Sequence, residues 1–257
     1  VSKYHEAINR NLVEQASQVR LALDYVGNNG SNGAPHDSGT GALVALPILD
    51  EAPGRVARSK AIRRLSEQLA PLAVIDNSVR LLISGCRAGD GATTVASALA
   101  IDLSQRLGLR TICVDAHLRH PNLHRTFVPP GSINPELVLD GSLQIRATEW
   151  PRLDLATCSP VSSDDERMQQ LADFEGLLNR YQAAVVDLGV PRLDARMLPL
   201  ARPNDPILLV VRYGYTERSE LATTVAGLRA ANRPVAGVVL NGATSSVAKP
   251  LRRLLGS

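Results

Sequence analysis

At 257 residues, with 44% apolar side chains and a net charge of +3, the chain has the size and composition of one α/β domain plus an extension. Its longest apolar run, 42–49, is too short to cross a bilayer and no signal-peptide pattern opens the chain, so a soluble protein is expected. The small charge, spread without a basic stripe interleaved with aromatics, argues against a nucleic-acid partner. Cys86, Cys113 and Cys158 have no paired spacing, which fits a reducing cytoplasm.

Along the chain, apolar residues at Ile8, Leu12, Val19, Leu23 and Val26 predict an amphipathic helix over 1–26 that must be covered, by its own domain or by a partner. The Gly-, Asn- and Ser-rich stretch that follows reads as a flexible linker, bounded at 27–56. The main α/β domain is placed at 57–257. It opens with a helix marked by Ala61, Ile62, Leu65 and Leu69 and stopped by Pro71.

From there, short apolar strands at 79–84, 111–115, 153–158, 183–188, 207–212 and 235–240 alternate with helical stretches at 91–107, 164–180 and 216–232. That alternation predicts a doubly wound, mostly parallel sheet of P-loop NTPase-like type. Ala183 to Val186 and Ile207 to Val211 are nearly continuous apolar runs, as strands covered on both faces require. Ser163 followed by Glu166 is a capping box, so the acids between them read as a helix start.

Directly after the first core strand comes Gly85-Cys-Arg-Ala-Gly-Asp-Gly-Ala-Thr-Thr94, leading into an apolar helix. Strand, glycine-rich turn and helix form the setting in which backbone N–H groups and a helix dipole hold phosphates and a Thr hydroxyl reaches magnesium. Arg87, Gly89, Asp90, Gly91, Thr93, Thr94 and, at the end of the last strand, Asn241 are the candidate nucleotide contacts. Thr93, Asp115 and Asp187 are the candidate magnesium ligands, since ligands of open α/β sheets gather at the carboxyl ends of strands. The same two aspartates are the catalytic candidates. His117, His120 and His124 lie close together, but Pro121 breaks any shared face and they read as structural.

These motifs resemble the bacterial tyrosine kinase (BY-kinase) family within the MinD/ParA-like P-loop class. Ala88 to Thr93 is similar to the end of that family's phosphate loop, and Ile112-Cys-Val-Asp115 through Pro121 to His124 is similar to its second Walker segment. Val185-Val-Asp187 through Pro191, with Asp194-Ala195, resembles its Walker B strand. Leu209 to Thr216 and Gly237 to Asn241 match the closing strands, and Ser2 to Arg10 resembles the opening helix of free-standing members, which suggests a nearly intact start. The resemblance implies ATP or ADP with magnesium as ligand, a membrane polysaccharide co-polymerase or other envelope-assembly protein as partner, a possible homodimer, and a cytoplasmic location at the inner face of the membrane through that partner.

Four departures shape the expected function. Ala92 stands where the phosphate-loop pattern has lysine, and losing one preorganised charge typically costs roughly 3 kcal/mol, about two orders of magnitude in rate. His117 replaces the family's second aspartate. No tyrosine follows Tyr215, so no tyrosine-rich tail is found, and Lys60, Arg63 and Ser66 replace the family's ring-forming Glu-x-x-Arg-x-x-Arg. The expectation is a degenerate, kinase-like regulator or scaffold of capsule or exopolysaccharide synthesis and export. The alternatives are an active ATPase or tyrosine kinase in which Arg87 or a partner supplies the missing cation, and a MinD/ParA-like positioning ATPase.

Overall fold

The computed structural model describes residues 42–46, 53–69, 74–75, 78–117, 122–127, 137–140, 143–158, 163–190, 205, 207–233 and 235–242. The expected helix at 1–26, His120, Pro191, Asp194 and Ala195 lie outside them. The elements are β1 Ala42–Leu46, α1 Pro53–Ala57, α2 Lys60–Leu69, β2 Val74–Ile75, β3 Ser78–Gly85, α3 Ala92–Gln105, β4 Thr111–Asp115, α4 Leu123–Phe127 and β5 Leu137–Asp140. They continue with β6 Leu143–Ala147, β7 Leu153–Cys158, α5 Asp164–Leu178, β8 Ala183–Asp187, β9 Ile207–Arg212, α6 Arg218–Ala230 and β10 Val235–Asn241.

The strands form one sheet in the order β1-β10-β9-β3-β8-β4-β7-β6-β5, with β2 beside β3. From β1 to β7 every neighbouring pair is parallel, and β5, β6 and β2 add antiparallel pairs. This is the doubly wound, mostly parallel architecture that the alternation of strands and helices predicts. β1 and α1 fall in the stretch 27–56 read as linker: the structure has a strand paired to β10 and a helical turn there, so the folded body starts at least at Ala42.

Alternate residues of the strands feed two cores, because successive Cβ atoms point to opposite faces. On one face Leu81, Ile83, Cys113, Val185 and Val210 pack with Val95, Leu99 and Leu103 of α3, Val56 of α1 and Ile62 and Leu65 of α2. On the other, Leu82, Val114, Val186, Leu209 and Val211 pack with Phe174 and Leu177 of α5 and Leu221, Val225 and Leu228 of α6. α3 is buried at eleven of its positions, so it is a core helix lying between the sheet and α1–α2. Truncating its fully buried Leu99 to Ala would cost about 3–5 kcal/mol.

Local chemistry fixes the helix starts and one tight contact. Ser163 accepts from the Glu166 amide and Glu166 returns a bond to Ser163 N, the reciprocal cap read from the sequence. Ser59 caps α2 by accepting from Ile62 N. α1 lies against Trp150: a Cβ on Gly54 would come within 2.7 Å of the indole, so this helix approaches as closely as a glycine allows.

Candidate phosphate-loop site

Parallel register brings the carboxyl ends of five strands to one edge of the sheet. Asp115 on β4 lies opposite Asp187 on β8, Gly85 of β3 pairs with Val210 of β9, and Asn241 of β10 pairs with Arg212. Gly85, Asp115, Asp187 and Asn241, read from distant parts of the sequence, thus share one rim. The 86–91 turn rises from it between β3 and α3.

The turn requires its glycines. Gly89 and Gly91 have φ of 88° and 94°, the left-handed region, and Gly91 is the N-cap immediately before α3. Because Gly91 has no side chain to cap the helix, the first amides of α3 receive no side-chain cap, the arrangement in which a helix start accepts an anion. Ala92 is the first helical residue, and its methyl is the whole side chain at the position where the pattern has a lysine ammonium. Thr93 and Thr94 follow, both half-buried.

Thr93 and Asp187 are brought together. The Thr93 hydroxyl donates to Asp187 Oδ2 at 2.6 Å, and Oδ1 of the same carboxylate accepts from Gly189 N at 3.0 Å. Burial pushes the Asp187 carboxyl up to about 6; the Thr93 and Gly189 bonds oppose that rise. Asp115 is also raised by burial, and its two oxygens accept from His117 N at 3.1 Å and Leu123 N at 2.9 Å. It therefore ties the end of β4 to the start of α4. His117 packs its ring against Gly189, and its proximity draws both carboxyls toward lower pKa, against the effect of burial.

Asp90 faces inward. Its carboxylate is 1% exposed, accepts from Cys86 N and Arg87 N at 3.0 and 2.8 Å, and receives the Thr216 hydroxyl at 2.6 Å. Thr216 is itself fixed by Arg212 N, and Asn241 Nδ2 donates to the Asp90 carbonyl at 2.9 Å. Asp90 thus braces the loop, and the turn after β9 holds the brace. Asn241 Oδ1 is buried without a hydrogen-bond partner among the described residues. Arg87 lies over the Tyr215 ring at 4.4 Å and 3.7 Å from Glu220, with Arg212 on the same ring at 5.1 Å.

Thr216, Tyr215 and Glu220 are site residues that the sequence reading did not single out. They sit more than a hundred residues from the loop they support, and only the pairing of β3 with β9 makes them neighbours. Tyr215 and Thr216 directly follow a core strand in the stretch that resembles the family's closing strands, whereas Glu220, inside α6, carries no sequence signal.

A strand, a glycine turn and an uncapped core helix, with aspartates ending two parallel strands beside the loop's threonine, define a P-loop NTPase-like α/β protein of the MinD/ParA type. The chain resembles a ParA family ATPase structure from Chlorobium tepidum at a TM-score of 0.50 and 17% identity, covering 63% of this chain and 72% of that one. It resembles the kinase domain of the Escherichia coli tyrosine kinase ETK more fully, at a TM-score of 0.61 and 19% identity, over 82% of this chain and 95% of that one. Those likenesses carry the fold. In sequence the chain is 26% identical over 177 residues to the tyrosine-protein kinase CpsD of Streptococcus agalactiae, covering 65% of this chain and 76% of the relative. It is 25% identical over 181 residues to the tyrosine-protein kinase YwqD of Bacillus subtilis, covering 66% and 75%. No protein-family model matches. Within the P-loop class, the sequence is similar to these tyrosine-protein kinases, which are of the BY-kinase type.

Proposed function

We propose that the chain is a degenerate member of the BY-kinase group, a pseudo-kinase that binds nucleotide and acts as a regulator or scaffold of capsule or exopolysaccharide biosynthesis. The observation that carries this reading is Ala92: a methyl opens α3 directly behind the loop's last glycine, where phosphoryl transfer draws on a lysine. The rest of the loop is suited to phosphate, with left-handed glycines, an uncapped helix start and the braced turn. Binding survives such a change better than catalysis, because the backbone cradle remains while the charge stabilising the transition state is lost.

Magnesium fits the donors at hand. Thr93, Asp187 and Asp115 offer oxygen only, the set a hard cation takes, and Thr93 and Asp187 are already in contact. Bound there, the ion would neutralise phosphate charge. The protein's own part is to orient the phosphates with loop amides and to hold the carboxylates at the strand ends. Location at the inner membrane face follows from the implied co-polymerase or envelope-assembly partner; no helix among the described residues is long and apolar enough to cross a membrane.

The test is calorimetric titration with ATP and ADP, with and without magnesium, against Thr93→Ala/Asp187→Asn. Magnesium-dependent micromolar binding, lost in that variant and accompanied by negligible phosphate release, is the expected result; no binding by the native protein overturns the nucleotide part. A second reading, an active ATPase or tyrosine kinase, is favoured by one observation, the guanidinium of Arg87 lying beside the loop on Tyr215. It requires sustained phosphate release that Arg87→Ala abolishes. The MinD/ParA-like positioning reading requires nucleotide-dependent homodimerisation.

A further inference from the structure

Away from the phosphate loop, α1 and α2 carry a strongly charged face. Arg55, Arg58, Lys60, Arg63 and Arg64 fall within ten residues, with no acid among them, and all five are exposed.

Helical spacing explains the separation. Ile62, Leu65 and Ser66 turn inward and are fully buried, and Ser66 donates to Asp102 Oδ2 of α3 at 2.5 Å. Lys60, Arg63, Arg64 and Glu67 recur at i, i+3, i+4 and i+7 on the opposite side. Glu67, the one acid of α2, is paired with Arg106 at 3.0 Å, and Arg106 also holds Asp102 at 2.8 Å. The acid is therefore committed to α3, and the outer face is left net positive.

The charges are also placed against local stability. α2 has no acid in its first turn, so Lys60, Arg63 and Arg64 lie near the positive end of the helix dipole. Lys60 with Arg63 and Lys60 with Arg64 are like-charge pairs at the spacings where such pairs repel. Charge that works against its own helix marks a surface under another demand.

From this we infer that the α1–α2 face docks on an anionic lipid surface. Among the described residues the exposed large apolar side chains are Leu107, Met168 and Tyr215, none of them on α1 or α2. A protein partner usually requires a desolvated apolar or aromatic anchor at the centre of its footprint, and the described side chains of this face include none. The stretch 53–69 has no aromatic residue on which a base could stack. A sheet of anionic headgroups needs only exposed charge, and Lys60, Arg63 and Arg64 on α2, with Arg58 in the turn before it, supply it. The contact would turn α3 and the sheet behind it toward the membrane side independently of nucleotide.

The test is sedimentation of the full chain with phosphatidylcholine vesicles, with and without phosphatidylglycerol. Partition is expected only to the anionic vesicles and is expected to vanish near 1 M salt, where the Debye length is about 3 Å. Each basic side chain at such a surface contributes roughly fivefold, so Arg63→Gln/Arg64→Gln is expected to lower partition by roughly 20-fold. That variant should keep the native melting temperature and the native result in the nucleotide titration, which separates this surface from the phosphate loop. Absence of native partition at low salt, equal partition of the variant, or tighter binding to duplex DNA or to an acidic polypeptide overturns the inference.

Discussion

The Thr93 hydroxyl and the Asp187 carboxylate, 94 residues apart, are joined by a 2.6 Å hydrogen bond that ties the first turn of α3 to the end of β8. Asp187 is 2% exposed, and burial raises its carboxyl to about 6. The native state thus keeps a proton that the unfolded chain releases near 3.8, so between those values the native state binds more protons and stability falls as pH rises. Above about 6 the penalty is full. Asp187→Asn removes it and is expected to raise stability at pH 7 by on the order of 1–3 kcal/mol, a gain that shrinks to nothing toward pH 4. Denaturant melts of both proteins across that range, without nucleotide, check the sign.

Ala92→Lys restores the cation to the start of α3. If the loop is otherwise competent, phosphate release should rise by about two orders of magnitude, the worth of one preorganised charge, with nucleotide affinity changing less. Steady-state phosphate release by the variant and the native protein is the measurement. No gain would mean that a lysine at this position is not enough for turnover.

Much of this architecture is legible because strands covered on both faces read as apolar runs. β3, β4, β8, β9 and β10 are visible that way and β7 in part, while α5 is marked by its Ser163–Glu166 cap. What escaped was short or mixed. β5 and β6 pair with Asp140 opposite Leu143, and Leu143–Ala147 alternates apolar with polar residues as a half-solvated strand does, without a continuous run. β1 was masked by the Gly-rich stretch before it: five residues of modest strand propensity become a strand because β10 offers an edge. At the site, motif spacing gave Gly85, Gly91, Thr93, Asp115 and Asp187 a common rim. It gave no warning that Asp90 turns inward to Thr216, since that bond spans 126 residues and depends on β3 pairing with β9.

Arg80, on β3, is buried beneath the sheet's other end, where it meets Glu175 and Asp205 at 3.3 Å each. Asp205 is fully buried, so Arg80→Ala would leave its carboxylate without that counter-charge. The expected loss is about 3–5 kcal/mol, the cost of breaking a buried pair by removing one partner. Arg80→Met/Asp205→Leu, which removes both charges and refills the volume, should recover most of it. Denaturant midpoints for the two variants decide between them.

Gly189 combines two constraints that a single substitution can separate. Its φ of 62° lies in the left-handed region, and a Cβ there would come within 2.8 Å of the His117 ring. Gly189→Ala therefore carries a backbone cost of about 1–2 kcal/mol together with a steric one. His117→Ala removes the ring, so in Gly189→Ala/His117→Ala only the backbone cost of the alanine remains. The cycle should show a favourable coupling of about 1 kcal/mol or more, beyond the few tenths by which independent sites deviate from additivity. At this chain length each kcal/mol moves the melting temperature by roughly 2–4 °C, so four melting curves measure it. Additive losses would mean that the ring swings away from the new methyl, leaving His117 free to move beside Asp115 and Asp187, and the position that replaces the family's second aspartate would then be adaptable instead of fixed.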